Sequence, residues 1–236
     1  MIAGDMEIEV RDPEVTLVGR RVSPRSHQRR GAIVEAAVTV LGRRGYGETS
    51  MKEIAREAGV APGLLHYHFE SKEDLLLAVL AELDRELMET WNGALRGVED
   101  PLERLVAGLG ATESLGRRNP GFWRLLVDMF TISLASPILH GRCQELWTRF
   151  TDAIESEIRQ VLGRLPAYTI APPRDLAGAV AAAVQGISLA ALVESSDPEK
   201  RFRALRVLLL SVVVTAYVTA GQEPPLARLA GLADRR

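Results

Sequence analysis

Residues 49–72 read Thr49-Ser50-Met51-Lys52-Glu53-Ile54-Ala55-Arg56-Glu57-Ala58-Gly59-Val60-Ala61-Pro62-Gly63-Leu64-Leu65-His66-Tyr67-His68-Phe69-Glu70-Ser71-Lys72. Ser50-Met51-Lys52-Glu53 has the form of a capping box, in which the hydroxyl accepts from the N–H three residues on and the Glu reaches back. Met51, Ile54, Ala55 and Ala58 give the following short helix one apolar side. Gly59 ends it, because a residue without Cβ can take the backbone conformation of a tight turn. Pro62 suits the first turn of a second helix, over about 61–69, since its missing N–H would be unpaired there. That second helix carries His66, Tyr67 and His68, side chains a core would not choose. Two short helices around a glycine turn make a helix-turn-helix, and the layout points to duplex DNA as the partner.

Outward from this stretch the pattern stays helical. Ile33, Ala36, Ala37, Val40 and Leu41 recur at three- and four-residue spacing, predicting a first helix from Ser26 to about Gly42, followed by a Gly45-Tyr46-Gly47 loop. Ser71 is placed to cap a long fourth helix whose apolar face is Leu75, Leu76, Val79, Leu80, Leu83, Leu87, Met88 and Trp91, reaching about Leu95. Further helices are expected at 101–115, 121–135, 138–165, 173–194 and 199–219, punctuated by Pro101, Pro120, Pro137, the 166–173 segment and Ser196-Asp197-Pro198. Residues 1–24 show no sustained period and contain Pro13, Gly19 and Pro24; they read as a flexible arm with a short extended piece at 15–18. The expected fold is all-α with about nine helices: the arm at 1–24, a helix-turn-helix head at 25–71, and a helical body at 72–236.

Bulk properties narrow the function classes. A single cysteine, Cys143, leaves no internal disulfide framework and fits a reducing compartment. The first ten residues are acidic, not basic and then apolar as in a secretory signal. The longest apolar run, 207–220, is broken by Ser211 and Thr215 and falls short of the roughly 20 residues of a membrane span. The expected location is therefore cytoplasmic, with no membrane. The net charge is −2, yet 20–72 carries ten Lys and Arg against five acids, so a basic head sits on an acidic body. Five arginines between Arg20 and Arg30 could serve an arm that enters a minor groove; a solvated tail reads the same charges equally well.

From about Arg29 to Leu80, a fifth of the chain, the sequence resembles the N-terminal DNA-binding domain of TetR-family transcriptional regulators. The resemblance rests on Thr49-Ser50-Met51-Lys52-Glu53-Ile54-Ala55, Ala58-Gly59-Val60, Gly63 with Leu65, and His68-Phe69-x-Ser71-Lys72-Glu73-x-Leu75. It implies a recognition helix whose exposed face is Pro62, Gly63, Leu64, His66, Tyr67 and His68. There Gly63 allows close approach to a base, Leu64 packs on a thymine methyl, and His66 and Tyr67 bond to base edges or phosphates. His68 and Lys72 would clamp phosphates, with Thr49 and Ser50 doing so at a helix N-terminus and Lys52 reaching a phosphate or guanine. Two residues depart from the family pattern: Ala61 where Ser or Thr commonly caps, and His66 where Tyr is common. A His-x-His pair on a helix points its rings about 200° apart, so His66 and His68 do not read as a metal site.

The body has two features of its own. The 173–194 helix is rich in small residues (Ala177, Gly178, Ala181, Ala182, Gly186), and the 199–219 helix is apolar over more than one face. Such helices need cover on both sides, either from a core or from a second subunit. The resemblance implies the second, a homodimer that sets two recognition helices on a pseudo-palindromic operator. The resemblance also implies a small-molecule pocket in the central helices, where Trp91, Phe122, Trp123, Met129, Phe130 and Trp147 suit an apolar or aromatic effector. His140 and Cys143 share a face but lack a third metal ligand, and no cofactor is signalled. No nucleophile, base and oxyanion cluster suggests an enzyme. Two readings follow: a ligand-released homodimeric repressor, and a helical ligand-binding or adaptor protein whose head does not read DNA.

Overall fold

A computed structural model of the chain describes residues 24–165 and 171–233. The arm, with its extended piece at 15–18 and Arg20 and Arg21, lies outside the described residues, as does most of the 166–173 punctuation. Ten helices follow one another: α1 Pro24–Arg44, α2 Met51–Glu57, α3 Pro62–His68, α4 Lys72–Leu95, α5 Pro101–Arg118, α6 Pro120–Ser133, α7 Pro137–Leu162, α8 Pro173–Glu194, α9 Glu199–Thr219 and α10 Leu226–Ala233.

Local chemistry explains most of the boundaries. Ser50 accepts from the Glu53 N–H and Glu53 returns a bond to the Ser50 N–H, so the capping box is formed. Gly59 turns the chain at φ 64°. Ala61 makes no side-chain cap to α3, and Pro62 opens that helix in its place. Ser71 caps α4, Asp100 caps α5 by accepting from Leu102 and Glu103, and Ser136 caps α7.

Two sequence expectations need correction. The first helix begins at Pro24 and runs to Arg44, so Arg25, Arg29 and Arg30 stand on α1 and not on an arm. Proline is tolerated in a first turn, and Gly42 stays helical because its backbone packs against that of Gly121 on α6, where a Cβ would come within 3.1 Å. The ninth helix is followed by a tenth, α10, whose Leu229 and Leu232 are buried with Leu210 and Val213 of α9. Eight residues behind a Pro-Pro pair are too few to reveal a period on their own.

One continuous buried cluster runs through head and body, beside the smaller one that α10 closes. Ile33, Leu41, Ile54, Leu65 and Phe69 of α1–α3 adjoin the α4 row Leu75, Leu76, Val79, Leu83, Leu87 and Trp91, which continues into α5–α9. Two ion pairs lock the body. Arg104 of α5 holds Glu157 of α7 through two bonds of 2.7 and 2.8 Å and also caps the end of α4 at the Leu95 and Val98 carbonyls. Arg206 of α9 donates to Glu113 of α5 at 2.7 Å, both side chains being buried.

The outer sides of α8 and α9 are apolar and uncovered. Ala182, Gly186, Leu189 and Val193 line one, and Ala204, Val207, Leu208 and Val218 the other. Both helices are long and apolar enough to cross a membrane, with mean hydropathy 2.0 and 1.7, and only 28% and 33% of those windows is buried. Run length understated this, because single Ser, Thr or Gln residues interrupt a run without much lowering its mean.

Candidate nucleic-acid interface

Leu65 and Phe69, both fully buried, fix α3 against the head and force the intervening positions outward. Pro62, Gly63, His66 and Tyr67 are exposed, and Leu64 and His68 are half-buried at its edges. Tyr67 is 66% exposed, unusual for so large a ring, and meets His68 edge-on with centroids 5.2 Å apart. Lys52 and Arg56 stand four residues apart on α2, both exposed and neither in a salt bridge among the described residues. Arg43 and Arg44, by contrast, are paired with Glu57 and Glu53 at 2.8 and 2.6 Å.

Neighbouring charges and hydrogen bonds set the state of the side chains around this face. His68 is held below its ordinary range by burial first and then by the charges of Arg30 and Arg29, so its ring is neutral at neutral pH and available as donor or acceptor. Arg30 itself lies over the Phe69 ring at 4.9 Å. Ser50 is exposed at the N-terminus of α2, but its N–H and hydroxyl are both engaged with Glu53. The Glu53 carboxyl is held low by its hydrogen bonds from the Ser50 backbone and side chain.

Two candidate DNA contacts turn out to have internal roles. Thr49 is 4% exposed and its hydroxyl donates to the Gly45 carbonyl at 2.8 Å, which withdraws it from the surface. Lys72 donates to the carbonyls of Tyr46 and Thr49 at 2.9 and 2.6 Å, with its ammonium 3.8 Å from the Tyr46 ring centre. Burial lowers its pKa, opposed by Glu53. Lys72 is a clip on the α1–α2 loop, with one N–H beyond the two so engaged. The sequence reading missed Arg56, which its i, i+4 spacing from Lys52 could have revealed. It also missed Arg124 and Asp128 of α6, roughly 80 positions away, which grip the same loop.

A second site lies between α6, α7 and α8, as an open cleft of about 570 Å³. Phe130 and Trp147 meet edge-on in it, centroids 6.0 Å apart, with His140, Gln144, Thr148 and Gln185 around them. No acid, Lys or Arg lines it. Of the expected pocket residues, Trp123 sits behind, in a narrow fissure with Leu87 and Phe150. Trp91, Phe122 and Met129 are at most 1% exposed and pack in the core, away from the lining of this cleft. Trp91 packs flat against Gly108 and edge-on to Phe150, an arrangement periodicity alone does not distinguish from a pocket wall. Among the described residues no cluster of three His, Cys, Asp or Glu could hold a metal.

Comparison with known proteins bears on both sites. The family described as "Bacterial regulatory proteins, tetR family" matches residues 33–79, and "BetI-type transcriptional repressor, C-terminal" matches 101–213. Over 79 residues the chain is 40% identical to the HTH-type transcriptional regulator BetI of Brucella anthropi, a match spanning 34% of this chain and 41% of that protein. The BetI regulator of Rhizobium meliloti is 43% identical over 79 residues, 34% of this chain and 39% of its own. The matched part is thus about two fifths of those relatives' length. In three dimensions the chain is similar to a transcriptional regulator from Saccharomonospora viridis solved with choline, with TM-score 0.71, 23% identity, and 78% and 96% of the two chains covered. It is also similar to a TetR transcription regulator from Haloarcula marismortui, with TM-score 0.68, 18% identity, and 76% and 95% covered.

Proposed function

Because the chain belongs to the TetR family of bacterial regulatory proteins, we propose that it is a sequence-specific DNA-binding transcriptional regulator, a homodimeric repressor released from a pseudo-palindromic operator by a small-molecule effector. The single observation that carries the reading is α3: a helix anchored by Leu65 and Phe69 that presents Pro62, Gly63, His66 and Tyr67 to solvent beside exposed Lys52 and Arg56. A solvated helix has no need of a two-thirds-exposed tyrosine, whereas a major-groove reader on a basic head can use one.

The uncovered faces of α8 and α9 support a second copy as their cover, which would place two α3 helices on successive half-sites. The BetI-type description and the choline-bound neighbour support a small organic effector in the Phe130–Trp147 cleft. Its uncharged aromatic lining suits an apolar body or a diffuse cation stacked on Trp147 and disfavours anions. Effector and operator would each favour a different arrangement of the same two-state protein, working in the cytoplasm.

The test is titration of full-length protein onto DNA upstream of its own gene, with choline as the first candidate effector. Saturable binding that outlasts nonspecific competitor is the expected result. Absence of sequence-specific binding, with and without candidates, sinks the reading and favours the adaptor alternative.

A further inference from the structure

The corner between α1 and α2 is gripped from the body. The two Nη groups of Arg124 on α6 donate to the carbonyls of Arg43 and Arg44, each at 2.9 Å. These are last-turn carbonyls of α1, with no partner inside the helix. Asp128, one turn further along α6, accepts the Tyr46 N–H at 3.1 Å. Lys72 of α4 holds the same corner from its other side through the Tyr46 and Thr49 carbonyls. The corner in turn holds α2, since the side chains of Arg43 and Arg44 pair with Glu57 and Glu53. Two residues beyond Asp128, the same helix begins to line the effector cleft with Phe130 and Ser133.

We infer that Arg124 and Asp128 are positioning residues for DNA reading, and that α6 carries the state of the cleft directly to the α1–α2 corner, beside the route through α4. One 14-residue helix carries the clasp in its middle, at Arg124 and Asp128, and the cleft at its C-terminal end. A displacement of its C-terminal half reaches the clasp without crossing a loop, and a corner held by a few directional bonds either follows or releases. The inference rests on the regulator reading above, and its first measurement is independent of that reading.

The experiment is hydrogen exchange on full-length protein, comparing wild type with Asp128→Leu, which loses the acceptor, and Asp128→Asn, which keeps it. Amides across 45–58 should exchange about tenfold faster in Asp128→Leu and near wild type in Asp128→Asn, with α7 and α8 unmoved in both. Unchanged exchange across 45–58 in Asp128→Leu overturns the clasp. If Asp128→Leu exchanges faster everywhere, Arg124→Gln on the exposed side of α6 replaces it, with the same two outcomes. The second arm adds a DNA duplex selected from a random pool by the wild-type protein. Exchange at 129–134 should then change in wild type and Asp128→Asn but not in Asp128→Leu, because coupling is reciprocal. No change at 129–134 in DNA-bound wild type overturns the α6 route. If no duplex is selected at all, the regulator reading fails, and the DNA-free arm still decides the clasp.

Discussion

In the proposed function Tyr67 and His66 are the residues on which DNA reading turns, and both are exposed and stand outside the core. Removing both rings with Tyr67→Ala and His66→Ala should weaken operator binding by about 1–3 kcal/mol for each base-edge interaction removed, with thermal stability near wild type. Fluorescence anisotropy alongside a melting curve separates the two effects. His68 gives a pH signature. Its folded pKa lies below the ordinary 6.5, through burial and the neighbouring Arg30 and Arg29. The stability this confers is complete above pH 6.5 and is lost as pH falls through the folded value. The melting temperature of wild type should therefore drop more between pH 7 and pH 5 than that of His68→Gln; equal drops would assign the loss elsewhere. At this scale the sequence is readable where function depends on local geometry. Ser50 with Glu53, Gly59 and Pro62 are each explained by neighbours within four positions. Lys72 is not, because its partners are the distant carbonyls of Tyr46 and Thr49, and Thr49, though its partner Gly45 is near, bonds within a loop whose path no periodicity describes.

Helices α4 to α9 are legible because each pairs a long apolar stripe with a polar or proline residue at its start, as Ser71, Asp100 and Ser136 show. What the stripe cannot reveal is which aromatics face a cleft. Trp91 and Trp147 lie on stripes of similar character, yet Trp91 closes against Gly108 while Trp147 opens on the α6–α7–α8 cleft. The difference is set by the neighbouring helix, not by the helix that bears the ring. A methyl group at position 108 would sit 2.7 Å from the Trp91 ring, so Gly108→Ala should destabilise the body by about 1–3 kcal/mol through overpacking. A denaturant midpoint indistinguishable from wild type would mean that Trp91 moves aside freely. For the cleft, Trp147→Ala should abolish any effector response and leave DNA affinity unchanged, as read by anisotropy with and without choline.

The whole molecule joins a head that presents α3 to a body with two bare apolar faces. One buried cluster runs through both, so the orientation of α3 is tied to the packing of α4 and α6. If a second copy covers α8 and α9, a charge on that face should prevent assembly. Leu208 is 66% exposed, so Leu208→Glu costs the single copy little while placing an unpaired carboxylate in the interface. Sedimentation should show a dimer for wild type and a folded monomer for Leu208→Glu, with DNA affinity falling alongside; a dimer in both would move the interface elsewhere. The central claim, that Pro62 to His68 read DNA sequence, is tested most directly by selection from a random duplex pool. The wild-type protein should enrich two inverted half-sites with centres about one helical turn, or a multiple of it, apart, and the folded Tyr67→Ala, His66→Ala double variant should enrich none. No motif enriched by wild type, or the same motif enriched by the double variant, would contradict the account.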